Sequence, residues 1–193
     1  EYGLRKKAGN FPLQELEEAT KYAHEKETKV YVTVNIYPRN SDLNGITVYL
    51  KEIENLGADA VIISDPGVIH IAKKTVPQLP VHLSTQANTT NRESALFWKN
   101  QGVKRICLAR ELSLQEIKEI TKKTDMEIEL FIHGAMCISY SGRCLMSKYM
   151  AGRDANEGDC SQTCRWKYYL MEDKRKGEYF PVEQDERGTY FFS

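Results

Sequence analysis

Five short runs rich in Val and Ile recur along the first two thirds of the chain: Val30–Asn35, Asp59–Ser64, Pro80–Thr85, Lys104–Ala109 and Glu127–His133. Their starts lie 21 to 29 residues apart, the length of one strand and one helix in an α/β protein. Each run has the length and β-branched content of a strand buried on both faces. Between them apolar residues fall at helical spacing, first Leu13, Leu16, Ala19 and Ala23, then Ile46, Leu50, Ile53 and Leu56 ahead of Gly57. A glycine there supplies the left-handed residue that closes a helix. Asn91 is placed to cap a helix that carries Ala95 and Trp98 and ends at Gly102, and Ser113 with Glu116 forms a capping box ahead of Ile117 and Ile120. Five such units make either an open doubly wound sheet or part of a (β/α)₈ barrel.

The residues just past each run favour the barrel. Asn35, Ser64-Asp65, Ser84-Thr85-Gln86, Arg110-Glu111 and His133-Gly134 set polar groups directly after five successive apolar runs. A barrel gathers all its carboxyl strand ends at one mouth, whereas an open sheet uses the ends near its switch point. No glycine-rich phosphate loop comes after the first run, which argues against a nucleotide-binding sheet. The sequence therefore predicts an α/β fold, an incomplete TIM-barrel-like (β/α) domain over residues 1–134, with candidate site residues at its mouth. Arg110 offers a planar fork for a carboxylate or phosphate. Gln86 and Asn88 offer amides that can orient a polar substrate or a base edge, although such residues equally serve the turns that hold them. His133, at the end of the fifth run, either faces the mouth or bonds its own loop. His82, inside a run, reads as a satisfied core histidine and Cys107, mid-run, as a buried inert thiol; His24 and His70 fall in helical patterns and carry no signal.

Cys137, Cys144, Cys160 and Cys164 fall within 28 residues, while the 136 residues before them hold only Cys107. The segment around them, residues 135–167, is rich in Gly, Ser and Arg, as a loop that wraps several thiolates around one centre must be. Five cysteines is an odd number, and a disulfide pair is the least favoured use in a reducing compartment. Structural zinc and an iron–sulfur cluster both take four ligands, and the spacing alone leaves them level.

Lys plus Arg and Asp plus Glu balance at 27 each, so no overall field draws the chain to nucleic acid or to an anionic membrane. Residues 143–176 carry eight Lys/Arg against five Asp/Glu, which makes either a basic patch beside the cysteines or an ordinary solvated loop. No apolar run approaches the roughly 18–20 residues of a membrane span, and no leader is seen; the expectation is a soluble, cytoplasmic protein. From residue 168 to 193 the pattern turns aromatic, with Tyr168–Met171, Tyr179–Val182 and Thr189–Phe192, and reads as the start of a β-meander that covers the cysteine loop. The chain opens on Glu1 and stops within Phe191-Phe192-Ser193, so both ends read as cut.

Glu129-Leu130-Phe131-Ile132-His133-Gly134-Ala135-Met136-Cys137, continued through Gly142-Arg143-Cys144-Leu145-Met146-Ser147, resembles the signature of the collagenase-like peptidase family U32 at every fixed position. Asp159-Cys160-Ser161-Gln162-Thr163-Cys164-Arg165-Trp166, Val32-Thr33-Val34-Asn35, Ser64-Asp65-Pro66-Gly67 and Ser84-Thr85-Gln86-Ala87-Asn88 extend the likeness over essentially the whole chain. Within that family the sequence looks most like bacterial proteins that hydroxylate the wobble uridine of tRNA to 5-hydroxyuridine, using prephenate without molecular oxygen. Other members modify a ribosomal RNA cytidine or a ubiquinone precursor. The resemblance implies a [4Fe–4S] cluster on a barrel-like fold, with Cys137, Cys144 and Cys160 as ligands. The fourth ligand varies among members: it is Cys164 here, or it lies beyond Ser193, the alternative this reading prefers. The resemblance also implies tRNA as partner, a small carboxylated donor as co-substrate and no role for DNA. The rival functions are the proteolysis that the family name records and non-catalytic RNA binding; no GxSxG, HExxH or other hydrolytic pattern is found.

Overall fold

A computed structural model describes residues 2–3, 10–134, 137–141, 143–185 and 188–190. They belong to two compact units, residues 1–161 and 162–193.

In the first unit β1 (Tyr31–Val34), β2 (Ala60–Ile63), β3 (Val81–Leu83), β4 (Arg105–Cys107) and β5 (Glu127–Glu129) form one parallel sheet whose spatial order is the order of sequence. Helix α1 (Leu13–Glu25) precedes β1, and α2 (Leu43–Asn55), α3 (Pro66–Thr75), α4 (Arg92–Asn100) and α5 (Leu114–Thr124) join successive strands. Among the described strands the order never reverses, so the switch point of a doubly wound sheet is not formed.

The helices start where short polar side chains satisfy their first amides. Asn91 Oδ1 accepts the Ser94 N–H at 2.9 Å. Ser113 N donates to Glu116 Oε2 at 2.8 Å while Glu116 N donates to Ser113 Oγ at 3.4 Å, which completes the capping box. Asp65 Oδ1 accepts from Val68 N at 2.9 Å, with Pro66 at the first helical position. Gly57 and Gly102 follow α2 and α4 at φ of 84° and 78°, a conformation costly to any residue with a Cβ.

One hydrophobic cluster holds the unit together. It takes alternate strand residues, Val32 and Val34, Val61 and Ile63, Val81 and Leu83, then Ile106 and Leu108, and packs them against buried residues of α1 to α5 such as Leu16, Ile46, Leu50, Ile53, Ala72, Ala95 and Ile120. The residues between them, Thr33, Ile62, His82 and Cys107, lie outside that cluster. Helical cover thus falls on one set of alternate positions. On the other set, near the strand starts, Tyr31 meets His82 edge-on at 4.7 Å, the Arg105 guanidinium lies 5.2 Å from the Tyr31 ring, and Arg105 pairs with Glu127 at 2.8 Å.

Two expectations for the runs need correction. The fifth run is a strand only to Glu129, and it is not buried on both faces: Glu127 and Glu129 are exposed and Ile128 is half-buried. Among the described strands it pairs on one side only, and its alternate positions are carboxylates that keep to water. His82 is buried as expected but not satisfied, since its Nδ1 has no partner among the described residues. Burial first, and then the neighbouring Arg105 charge, push its pKa down to about 4, so the ring is neutral and can be buried with one nitrogen bare. Cys107 is buried, as the sequence predicts, and burial pushes its thiol up to about 11.

Past β5 the first unit holds the short helix α6 (Met146–Ala151), which closes on Gly152 at φ 65°; six residues are too few for a helical period to be legible. The second unit is two hairpins, β6 (Tyr169–Leu170) with β7 (Phe180–Pro181) and β8 (Glu183–Asp185) with β9 (Gly188–Tyr190), each antiparallel. They form two separate two-stranded sheets where the sequence predicts one meander. Ala135, Met136 and Gly142 of the cysteine signature, most of the opening residues 1–9, and the closing Phe191-Phe192-Ser193 lie outside the described residues. Among the described residues no helix is long and apolar enough to cross a membrane.

Candidate functional site

The carboxyl ends of β1, β2 and β3 are tied by side chains. Gln86, in a one-turn helix at Thr85–Ala87 and 1% exposed, donates from Nε2 to the Asn35 carbonyl at 2.8 Å and accepts at Oε1 from Ser84 Oγ at 3.1 Å. Asn35 Nδ2 donates to Ser84 Oγ at 3.3 Å, and Ser64 Oγ donates to the Asn35 carbonyl at 3.3 Å. The Gln86 amide is therefore engaged in holding three strand ends together. Asn88 follows in the left-handed conformation at φ 51° and donates from Nδ2 to the Gln86 carbonyl at 3.0 Å. Its Oδ1 is buried with no partner among the described residues.

Tyr37 carries this network to the cysteine segment. Its hydroxyl donates to the Gln86 carbonyl at 3.2 Å and accepts from Arg143 Nε at 3.3 Å, and its main-chain N–H donates to the Asn156 carbonyl at 3.0 Å. Asn156 in turn accepts at Oδ1 from the Cys144 N–H at 3.1 Å. Asp154 holds the turn at Ala155–Glu157 by accepting from Asn156 N at 3.0 Å, and it pairs with Lys148 at 2.8 Å. That hydrogen bond from Lys148 is the main cause that keeps the Asp154 carboxyl below the usual range. Cys160, exposed, lies between Asp159 and Ser161, both of which are tied to the buried Ser147: its hydroxyl meets Ser161 Oγ at 2.7 Å, accepts from Ser161 N at 2.9 Å and donates to the Asp159 carbonyl at 3.4 Å.

Arg110 binds a second part of the segment. Its Nη1 donates to Ser141 Oγ at 3.3 Å, and its guanidinium lies 4.2 Å from the centre of the Phe131 ring. His133 is exposed and four residues past the last residue of β5, so it is not a strand-end residue. The chain leaves the sheet at Leu130, and Phe131 takes the position against Arg110. Between the Arg110–Glu111 turn and the segment lies an open cleft of about 390 Å³ lined by Glu111, Cys137, Ile138, Ser139, Tyr140 and Arg143. Cys137 Sγ is 3.6 Å from Ser139 Oγ.

None of the five cysteines is in a disulfide, and Cys137, Cys144 and Cys164 are half-buried. Thiols on tied loops with partial exposure suit a soft metal centre, and in donor chemistry Cys137, Cys144 and Cys160 fit an iron–sulfur cluster. Among the described residues no three His, Cys, Asp or Glu side chains converge as a ligand group. Cys164 lies in the second unit. Of the eight Lys/Arg in residues 143–176, four pair with acids of the same stretch: Lys148 with Asp154 at 2.8 Å, Arg153 with Asp159 at 2.7 Å, Arg175 with Glu172 at 2.6 Å and Lys176 with Asp173 at 4.0 Å.

Of the residues that form this site, the sequence reading missed Tyr37, Asn156, Ser147 and Tyr140. Tyr37, Asn156 and Ser147 act through contacts distant in sequence, which no local spacing encodes, and Tyr140 enters as a lining residue of the cleft; an aromatic set among polar loop residues is the signal at Tyr37 and Tyr140.

The strand-end network leading into a thiol-bearing loop invites comparison with known proteins, and the family model described as peptidase family U32 matches residues 1–193. The chain belongs to peptidase family U32. This U32 chain is 45% identical over 172 residues to the tRNA hydroxylation protein P1 of Bacillus subtilis, covering 89% of the chain and 41% of that protein. It is 45% identical over 174 residues to the tRNA hydroxylation protein P of Escherichia coli, covering 90% of the chain and 38% of that protein. The chain thus spans about two fifths of the length of these relatives. Among solved structures the U32 peptidase Mk0906 is similar at a TM-score of 0.56 and 19% identity, over 67% of this chain and 56% of that one; at that identity the likeness concerns the fold.

Proposed function

We propose that this U32 chain is the sheet and cysteine-bearing part of an RNA hydroxylase that acts on carbon five of the wobble uridine in tRNA. The observation that carries this is the identity to two proteins named for tRNA hydroxylation across nine tenths of the chain. The cleft agrees with it. Proteolysis by Cys137 would need a base to form the thiolate, and no histidine lines the cleft among the described residues. A thiol committed to a cluster is in any case lost as a nucleophile.

Two finer assignments accompany this reading. The sequential parallel order, with helices packed on one set of alternate strand positions, is what an arc of a (β/α) barrel gives, and it puts Asn35, Ser64, Gln86, Arg110 and the cleft at the carboxyl end where barrels carry their chemistry. Cys137, Cys144 and Cys160 would hold a [4Fe–4S] cluster, with Cys164 or a residue outside this chain as the fourth ligand. Such a cluster supplies one-electron redox chemistry. Replacing C5–H by C5–OH is a two-electron oxidation that needs an oxygen source, and prephenate is the co-substrate proposed. Its carboxylates call for a cation at the site, and Arg110, held over Phe131, is placed to supply it.

The test is mass spectrometry of tRNA nucleosides from a deletion strain, alone and complemented. Loss of 5-hydroxyuridine derivatives on deletion, restored by the wild-type gene and not by Cys144→Ser, is the expected result. Unchanged derivatives in a strain with no second such enzyme would leave proteolysis or non-catalytic RNA binding in front. Iron and sulfide analysis after anaerobic purification tests the cluster separately; stoichiometric zinc would exclude it. Comparing Cys160→Ser with Cys164→Ser for iron content decides whether Cys164 is the fourth ligand.

A further inference from the structure

The cleft beside Cys137 is too small for a folded partner. Its volume of about 390 Å³ lies at the low end of the roughly 300–1,000 Å³ typical of small-ligand sites, room for one nucleotide and not for a helix. Its walls differ in chemistry. Tyr140 is 62% exposed and Ile138 61%, so both offer apolar surface to whatever enters the cleft. The lining also holds one carboxylate, Glu111, and Arg143 brings a guanidinium whose Nε is fixed on the Tyr37 hydroxyl at 3.3 Å. Arg143 is the cation of the cysteine segment that lines the cleft, and the nearby Lys148 and Arg153 are bound to Asp154 and Asp159.

A flat aromatic face, one acceptor and one forked donor around a nucleotide-sized space are the complement of a single unstacked pyrimidine. Uracil presents two carbonyl oxygens with an N3–H donor between them. Proteins that read single-stranded RNA stack such bases on aromatic rings and bond their pairing edges, and enzymes that act on a base must first take it out of its stack. We propose that this cleft is the seat of the target uridine, with Tyr140 as its stacking face, Glu111 accepting its N3–H and Arg143 donating to a carbonyl oxygen. The assignment rests on the RNA-hydroxylase reading and adds to it the residues that choose the base. It also gives the Tyr37–Arg143 contact a purpose, which is to fix the donor relative to the strand ends through the Gln86 carbonyl.

Binding of stem–loop RNAs to the full-length protein tests this under anaerobic conditions. Three probes are compared: a loop with one uridine, the same loop with 3-methyluridine in its place, and the same loop with an abasic site there. Wild type should prefer the uridine loop over both others. Tyr140→Ala should weaken uridine-loop binding about ten-fold, within the range of stacking losses seen on alanine substitution, and leave abasic binding unchanged, while Tyr140→Phe should bind as wild type. Glu111→Ala should abolish the preference for uridine over 3-methyluridine. Equal binding of all three loops by wild type, or equal losses on all three in Tyr140→Ala, would overturn the assignment even if tRNA is hydroxylated. Uridine preference with no hydroxylation in the cell would refute the hydroxylase reading and keep the cleft only as a site that binds uridine. Absence of RNA binding refutes both.

Discussion

The Tyr37 hydroxyl donates to the Gln86 carbonyl at 3.2 Å and so joins the loop after β1 to the turn after β3, while the same oxygen receives Arg143 from the cysteine segment. One atom thus links the sheet to the loop that carries the thiols. Tyr37→Phe should cost about 1 kcal/mol, the usual net value of a hydrogen bond. Its larger effect should be local. Amide exchange in residues 137–144 should accelerate while β1 to β4 keep their protection; unchanged exchange in the loop would show that Arg110, through Ser141, and Asn156, through Cys144, hold it without the Tyr37 hydroxyl.

Gln86→Leu tests the strand-end network. The substitution keeps the bulk of the side chain but removes a donor to the Asn35 carbonyl and an acceptor for Ser84. Leaving buried polar groups short of partners costs roughly 1–3 kcal/mol. Denaturant unfolding should show that loss as a lower midpoint with an unchanged slope.

Cys107 and the loop thiols should differ in reactivity. The thiolate is the nucleophile toward alkylating reagents, and burial pushes Cys107 up to about 11. Iodoacetamide applied to the metal-free folded protein at pH 8 should label the exposed Cys160 within minutes and spare Cys107 until unfolding. Peptide mass spectrometry reads the order directly. Early labelling of Cys107 would mean that β4 opens far below the cost of global unfolding.

His82 gives stability a pH dependence. Its folded pKa is about 4, below the 6.5 of an unperturbed histidine, so between those values the unfolded chain binds the proton more readily. Its contribution is complete above pH 6.5 and is lost as pH falls toward 4, at up to about 1.4 kcal/mol per pH unit. His82→Phe retains the edge contact with Tyr31 and should flatten this slope. A variant with the wild-type slope would assign the acid sensitivity to the carboxylates.

Much of the sheet was legible because its signals are local. The β-branched runs, the Asn91 and Ser113 caps and the glycines at 57 and 102 each act within a few residues, and they placed β1 to β4 and the ends of α2, α4 and α5. From sequence the fifth run extends past the strand because Leu130, Phe131 and Ile132 look like strand interior. They are exposed instead, Ile132 by 94%, and a sequence window cannot distinguish an apolar residue packed in a sheet from one set on a loop. The cysteines and Gln86 were visible as chemistry. What Gln86 does was not, since its partners Asn35 and Ser84 are brought to it only by the sheet.

The sheet order has a kinetic consequence. Strand pairs such as Tyr31 with Ala60, Val61 with Val81 and Arg105 with Glu127 all close through a connection that holds one α-helix, and the entropy of closing a loop rises with its length. No described strand of this sheet must wait for a partner made much later. Pairing between neighbours in sequence keeps the contacts of this sheet short in chain length, and folding slows as that length rises, so the sheet should form faster than a parallel sheet of the same size whose strands pair across distant parts of the chain.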